Sequence, residues 1–467
     1  MSQSLHRGAV LHFTDDPARA GDASFEHYAD GAFLVEGGKI MACGDARDIV
    51  DLAAPDAVVY QHDNALLMPG FIDTHLHYPQ MDIVGAHGEQ LLEWLERYVF
   101  PTEAKFDDYE HAFATAKRFL TELLRNGTTT ALVFGTVHPE SVEAFFTAAE
   151  ARSLCMIAGK VLMDRNAPEY LCDTAESAYA DSKALIERWH GRGRARYAVT
   201  PRFAPTSSPE QLAAAGRLLR EHPGVYLHTH MSENTNEIAW VEELFPHLDH
   251  YLHSYDEAGL LGRRSVFAHC VHLSESEWER MAATGCGALF CPTSNLFLGS
   301  GLFPLKSAER HGVEVGLGTD IGAGTSFSLL ETIDEAYKVQ QLRGDALSPM
   351  KSFYLATLGG ARVLDLEDCL GNFLPGKDAD FIVIDMAGTP MLERRLAQSA
   401  DLFEQLFVLS TLGDDRSIRE TWILGERAHH RDGSREGLLD DRHDNPREPY
   451  DGQRGEGADG RANALSL

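Results

Sequence analysis

Between Met68 and Asp320, eight apolar runs rich in β-branched residues alternate with stretches that are mostly long enough for a loop and a helix. They are MPGFIDTHLH from Met68, TTTALVFG from Thr128, CMIAGKVLMD from Cys155, RYAVTPRFAP from Arg196, VYLHTHMSE from Val225, SVFAHCV from Ser265, GALFCPTSN from Gly287 and VEVGLGTD from Val313. Continuous apolarity is what parallel strands covered on both faces require. Eight such units in series predict a closed (β/α)8 barrel of the TIM type rather than an open sheet. Short β segments flank it. GAFLVEGGKIM (Gly31 to Met41) places Gly37-Gly38 between two apolar runs, the two-residue signal of a hairpin. Near the other end ADFIVID (Ala379 to Asp385) and TWILGERA (Thr421 to Ala428) alternate like strands. Both ends of the chain are therefore expected to build one small composite β-sandwich, from residues 1–67 and 375–430, around a barrel at 68–374. Residues 431–467, rich in Gly, Asp, Arg and Pro with few large apolar side chains, are expected to be disordered.

The formal net charge of −30, from 71 acidic against 41 basic side chains, repels nucleic acid and anionic membrane surfaces and favours a small neutral or cationic substrate. No apolar run reaches the roughly 18 residues that span a bilayer, and MSQSLHRGAV carries no signal-like stretch, so a cytoplasmic protein is expected. The seven cysteines are scattered with no C-x-x-C pair, which indicates neither a disulfide framework nor a thiolate zinc site. A bound metal would take nitrogen and oxygen ligands.

Two His-x-His pairs end apolar runs: His75-Leu76-His77 and His228-Thr229-His230. On a strand, side chains at i and i+2 share a face and can grip one ion. His77 to His230 spans 153 residues, about four βα units, and His230 to His269 spans 39, about one more. Asp320 ends the last run. These residues thus fall at the carboxyl ends of the first, fifth, sixth and eighth strands, the barrel face where active sites lie. Three imidazoles and a carboxylate suit one Zn(II) ion, with Fe(II) as the alternative, and such a site keeps a position for a water made acidic by the ion. His75, His77, His230 and Asp320 are the candidate ligands. Asp320 can also take a proton from the water, and Glu233, three residues past His230, is placed to shuttle protons without ligating. His269 stays open between metal and substrate. His228 and His272 read as structural, and Lys160, on the third strand, has no matching second set of ligands for a two-metal site.

PGFIDTHLHYPQ (Pro69 to Gln80), GEQLLEWLERYVFPTE (Gly88 to Glu103), HMSEN, AHCVHL, CPTSNLFLGSG and GLGTD follow in an order that resembles the guanine deaminases of the amidohydrolase superfamily. The resemblance covers roughly residues 1 to 428; the first motif and GTD indicate only the superfamily, and GEQLLEWL narrows it. It implies hydrolysis of guanine to xanthine and ammonia, zinc on His75, His77, His230 and Asp320, proton transfer by Glu233, and a purine held by Gln80, Arg202 and Phe203, with His269 at a further site position. It also implies a homodimer. An amide, a guanidinium and an aromatic face suit a purine's polar edge and ring.

Rival readings are a related deaminase acting on another purine, a pyrimidine or a triazine, and a catalytically silent binding module. The silent module is disfavoured because every ligand and shuttle position is filled. His87-Gly88-Glu89 matches the start of the H-x-E zinc deaminase motif, but no P-C-x-x-C follows it.

Overall fold

The computed structural model describes residues 3–87 and 91–433. The tail expected to be disordered lies outside these from residue 434 onward, as do positions 88–90 of the GEQLLEWL segment. The chain opens with β1 (Gln3–Phe13), β2 (Phe25–Glu36), β3 (Lys39–Asp45) and β4 (Val58–Pro69). Gly37 and Gly38, both at positive φ, make the expected hairpin turn between β2 and β3, a conformation that costs glycine nothing.

One residue, Gly70, separates β4 from β5 (Phe71–His77), the first barrel strand. Then follow β6 (Thr128–Phe134), β7 (Cys155–Gly159), β8 (Val161–Leu162), β9 (Arg196–Pro201), β10 (Tyr226–Met231), β11 (Ser265–His269), β12 (Gly287–Phe290) and β13 (Val315–Leu317). All are buried along their length apart from occasional partly exposed residues, and neighbours pair in parallel, so all eight expected runs form strands of the barrel. The third run is broken into β7 and β8 at Lys160, whose ammonium pairs with the carboxylate of Asp173. The ring closes between its last and first strands: Thr74 Oγ1 donates to Leu317 O at 2.8 Å and Asp320 N donates to His75 O at 2.8 Å.

The helices between strands carry their own signals. In Tyr109–Arg125 the N-cap Asp108 accepts from the amides of Glu110 and His111, and Ala112, Ala116, Phe119, Leu120 and Leu123 turn one apolar face to the core. At the amino end of the barrel, Ile72, Leu132, Ile157 and Val266 pack against Val363, Leu364 and Leu366, and Tyr226 Oη donates to Leu364 O at 2.7 Å. That end is plugged, so the interior opens only at the carboxyl ends of the strands.

After the barrel come β14 (Phe381–Asp385), β15 (Ile418–Ile423) and β16 (Glu426–His430). They join the opening strands in one seven-stranded sheet of order β16-β15-β14-β4-β1-β2-β3, in which β14 lies antiparallel to β4 with Leu66 opposite Ile384. TWILGERA, which alternates like a single strand, is two strands folded back at Leu424-Gly425, both at positive φ. Period-two alternation survives a tight turn, which is why the sequence hides it. Among the described residues no helix is long and apolar enough to cross a membrane.

Candidate active site

His75 and His77 stand at the carboxyl end of β5, His230 near that of β10, His269 at the last position of β11, and Asp320 three residues beyond β13. His269 and Asp320 adopt left-handed backbone conformations, φ 74° and 53°, which residues with a Cβ adopt at a cost and which here turn the side chains inward where the strands end. Ligand-type atoms of His75, His77 and Asp320, and of His75, His230 and His269, lie within 4.8 Å of one another. Asp320 Oδ1 is 3.2 Å from His75 Nε2 and 3.5 Å from His77 Nε2, and His77 Nε2 is 3.2 Å from His230 Nε2.

Burial, followed by neighbouring histidines, holds the pKa of His75, His77, His228 and His230 well below the ordinary imidazole value, so the rings are neutral. The contacts to Asp320 are therefore not ion pairs. His230 Nδ1 lies 2.7 Å from the carbonyl of Arg202, which can only accept, so its proton is there and Nε2 presents a bare lone pair. His269 Nδ1 faces Asn295 Oδ1 at 2.9 Å, which frees its Nε2 in the same way. His75 Nε2 is buried without a hydrogen-bond partner. Lone pairs and a carboxylate converging in a buried space fit a cation, and the donor set is nitrogen and oxygen only.

Beside this cluster opens a cavity lined by His77, Gln80, Arg202, Phe203, His230, Glu233, His269 and Asp320, with an apolar wall of Leu91, Trp94, Leu95 and Leu298. All nine residues singled out by sequence are thus brought to one place, His75 from just behind the lining. Glu233 is buried; Ser300 Oγ donates to its Oε1 at 2.8 Å, and His269 Nε2 is 3.5 Å from its Oε2. Burial and the nearby Asp320 push Glu233 up to about 8, and burial also raises Asp320.

Four residues outside these nine support them. Glu103, fully buried, accepts from Gln80 Nε2 at 2.9 Å and from Arg202 Nη1 at 2.9 and 3.1 Å. Glu237 accepts from the amides of Glu233 and Asn234 and from Tyr251 Oη, fixing the loop that carries Glu233. This is the reciprocal cap of the helix Thr235–Leu244, whose N-x-x-E spacing was a visible signal. His228 lies behind His75, and Ser300 holds Glu233. His228 shares a strand face with His230 and was read from the sequence as structural. Nothing local marks Glu103 or Ser300.

Residues 66–428 match the profile described as the amidohydrolase family. The guanine deaminase of Escherichia coli (strain K12) is 54% identical over 91% of this chain and 97% of the relative. A solved structure of E. coli guanine deaminase superposes with a TM-score of 0.90 at 53% identity, covering 92% of this chain and all of that one. The guanine deaminase of C. acetobutylicum, solved with guanine bound in its active site, gives a TM-score of 0.82 at 30% identity over 91% of this chain and 100% of that one. The chain is a member of the amidohydrolase family and groups there with the guanine deaminases.

Proposed function

We propose that this chain hydrolyses guanine to xanthine and ammonia. His75, His77, His230 and Asp320 hold one divalent ion per subunit, Zn(II) with Fe(II) as the alternative, Glu233 moves protons, and Gln80, Arg202, Phe203 and His269 hold the purine. The observation that carries this reading is the convergence of imidazoles and Asp320 on one cavity whose wall also contains the buried Glu233, whose pKa burial raises. The activity of relatives matched over nine-tenths of the chain supports the choice of guanine. A cytoplasmic location, expected from the sequence, and a homodimer, implied by the resemblance, belong to the same proposal.

When bound, a divalent ion in this donor set acts as a Lewis acid that lowers the pKa of a coordinated water from about 15.7 toward about 7. Asp320 takes a proton from the attacking water. Glu233, with its pKa pushed up to about 8, carries a proton at neutral pH and gives it to the ring nitrogen next to C2 as the new O–C2 bond forms. The charged carboxylate then collects a proton through Asp320 and delivers it to the exocyclic amine, so that the C2–N bond breaks, ammonia leaves, and the proton of the new C2 hydroxyl passes to Glu233, forming the carbonyl and restoring the starting acid. Ser300 and the Glu237-braced loop keep Glu233 aimed at the cavity throughout. Phe203 and the apolar wall cover the ring and exclude bulk water, which strengthens the polar contacts at the reacting carbon.

The test is ammonia release from guanine, adenine, cytosine, guanosine and 8-oxoguanine by protein of measured metal content, with a chelated control. Xanthine from guanine alone, lost with the metal and restored by zinc or iron, is the expected result. A fully metallated protein that leaves guanine intact refutes the reading.

A further inference from the structure

Gln80 and Arg202 come from distant parts of the chain, one from the turn after β5 and the other from the turn after β9, yet both are tied to the same carboxylate. Glu103 Oε1 accepts from Gln80 Nε2 at 2.9 Å and from Arg202 Nη1 at 3.1 Å, while its Oε2 accepts from Arg202 Nη1 at 2.9 Å. Glu103 is fully buried, and Gln80 and Arg202 are 2% and 3% exposed, so water has almost no access to this triad.

A carboxylate paired with a guanidinium can only accept hydrogen bonds, and this removes the ambiguity of the amide. Gln80 must turn its NH2 toward Glu103, and its Oε1 is left on the other side. There, among the described residues, Oε1 meets only the amide of Gly322, at 3.4 Å, a long contact that leaves acceptor capacity for a ligand. Glu103 engages only Nη1 of Arg202; among the described residues Nη2 and Nε make no side-chain hydrogen bond, and the guanidinium lines the cavity.

We infer that Glu103 sets the polarity with which the cavity reads a base edge: it fixes an amide oxygen as acceptor beside a guanidinium as donor, a pattern complementary to a ring N–H next to a carbonyl oxygen. This rests on the proposal that Gln80 and Arg202 hold the purine. Guanine presents that edge at N1–H and O6. In 2,6-diaminopurine the same edge is reversed, with a bare N1 and an amino group at C6, although the amine to be removed at C2 is unchanged. Glu103 touches no reacting atom, so it is a positioning residue whose effect falls on discrimination. Its place between an amide and a guanidinium gives it a role that neither neighbour could fill alone: without the carboxylate the amide is free to flip, and the guanidinium is left buried without its counter-charge.

The experiment compares kcat/KM for guanine and for 2,6-diaminopurine in the metallated wild type, Glu103→Gln and Glu103→Asp, with metal content and melting temperature recorded for each. A Gln at 103 can present either end of its own amide, so the Gln80 flip is no longer fixed. In Glu103→Gln guanine kcat/KM is expected to fall about 100-fold, mostly through KM, and 2,6-diaminopurine less than about tenfold, so the ratio between them drops at least about tenfold. If that variant does not fold, Glu103→Asp carries the test, since it keeps the charge but is too short to hold both partners, and the same drop of the ratio is expected. Equal losses on both substrates, or an unchanged ratio in the folded variants, overturn the inference and leave Glu103 a general structural support. A metallated wild type inert toward guanine overturns instead the functional reading beneath it.

Discussion

His228 stands directly behind His75, Nε2 to Nδ1 at 2.7 Å, while the opposite nitrogen of His75 faces Asp320 at 3.2 Å. For His75 to offer a lone pair at Nε2, its proton must sit on Nδ1 and be donated to His228, which makes His228 the residue that selects the ligating tautomer. His228→Phe fills the space and removes the acceptor. Its affinity for zinc, measured by competition with a chelator, is expected to fall about 10- to 100-fold, with turnover recovering at saturating metal. Wild-type affinity in this variant would show that His228 only fills the core.

The proton-transfer role of Glu233 separates cleanly from metal binding. Glu233→Gln preserves shape and the Ser300 contact but cannot deliver a proton and take it back. It is predicted to bind metal normally and to lose about 100- to 10,000-fold in kcat. Ser300→Ala, which removes one hydrogen bond to the same carboxylate, is predicted to lose about tenfold. Undiminished kcat in Glu233→Gln, at full metal occupancy, would move the shuttle elsewhere.

The stability of the metal-free protein should depend on pH with a definite sign. Burial raises Glu237 and Asp73 to about 7 and Glu233 to about 8, so each binds a proton more tightly folded than unfolded. Their contribution is fully present below the unfolded values and is lost as pH rises through the folded ones. The neutral histidines act oppositely, adding stability as pH rises through about 6.5, a gain that is nearly complete by about pH 7.5. Above about pH 7.5 the unfolded imidazoles have given up nearly all their protons, so the melting temperature of the chelated protein is predicted to fall from about pH 7.5 to about pH 9 as Glu233 and the last of the other carboxylates ionise. Glu233→Gln should flatten the upper part of the fall. A chelated melting temperature that rises over the same range would contradict the assignment.

Gly322 lies against Gln80 so closely that a Cβ there would come 2.6 Å from the backbone oxygen of Gln80 and 2.9 Å from its Cβ. The neighbour is backbone and cannot swing away. Gly322→Ala is expected to destabilise the protein by about 1–3 kcal/mol and to raise KM for guanine about tenfold by displacing the Gln80 amide. Denaturant unfolding and steady-state kinetics on the same preparation would read both, and an unchanged KM would separate Gln80 from substrate binding.

The barrel strands were legible because burial on both faces imposes continuous apolar runs, and His75, His77, His230, His269 and Asp320 were legible because strand ends recur at a regular spacing. Gln80, Arg202 and Phe203 came only from resemblance, since an isolated cation and aromatic look like surface and core. Glu103 and Ser300 lie inside segments that carry the resemblance, yet nothing marked them as site residues. Each acts through a partner far away in sequence, Arg202 at 99 residues for Glu103 and Glu233 at 67 for Ser300, and periodicity reports which face a residue is on, never whom it meets across the fold. The break at Lys160 and the turn at Leu424-Gly425 were hidden for a related reason: one buried residue or a tight turn barely disturbs an apolar pattern.

The pairing of β4 with β14 orders events during synthesis. β4 leaves the ribosome early and finds β1, but its other edge, with Leu66, Leu67 and Met68 buried in the finished protein, has no partner until residues 381–385 are made. A nascent chain stalled before that point could complete every barrel strand and still display a bare apolar strand edge, which is a template for pairing with other chains. The late-made strand at residues 381–385 is therefore the protein's own protection against aggregation.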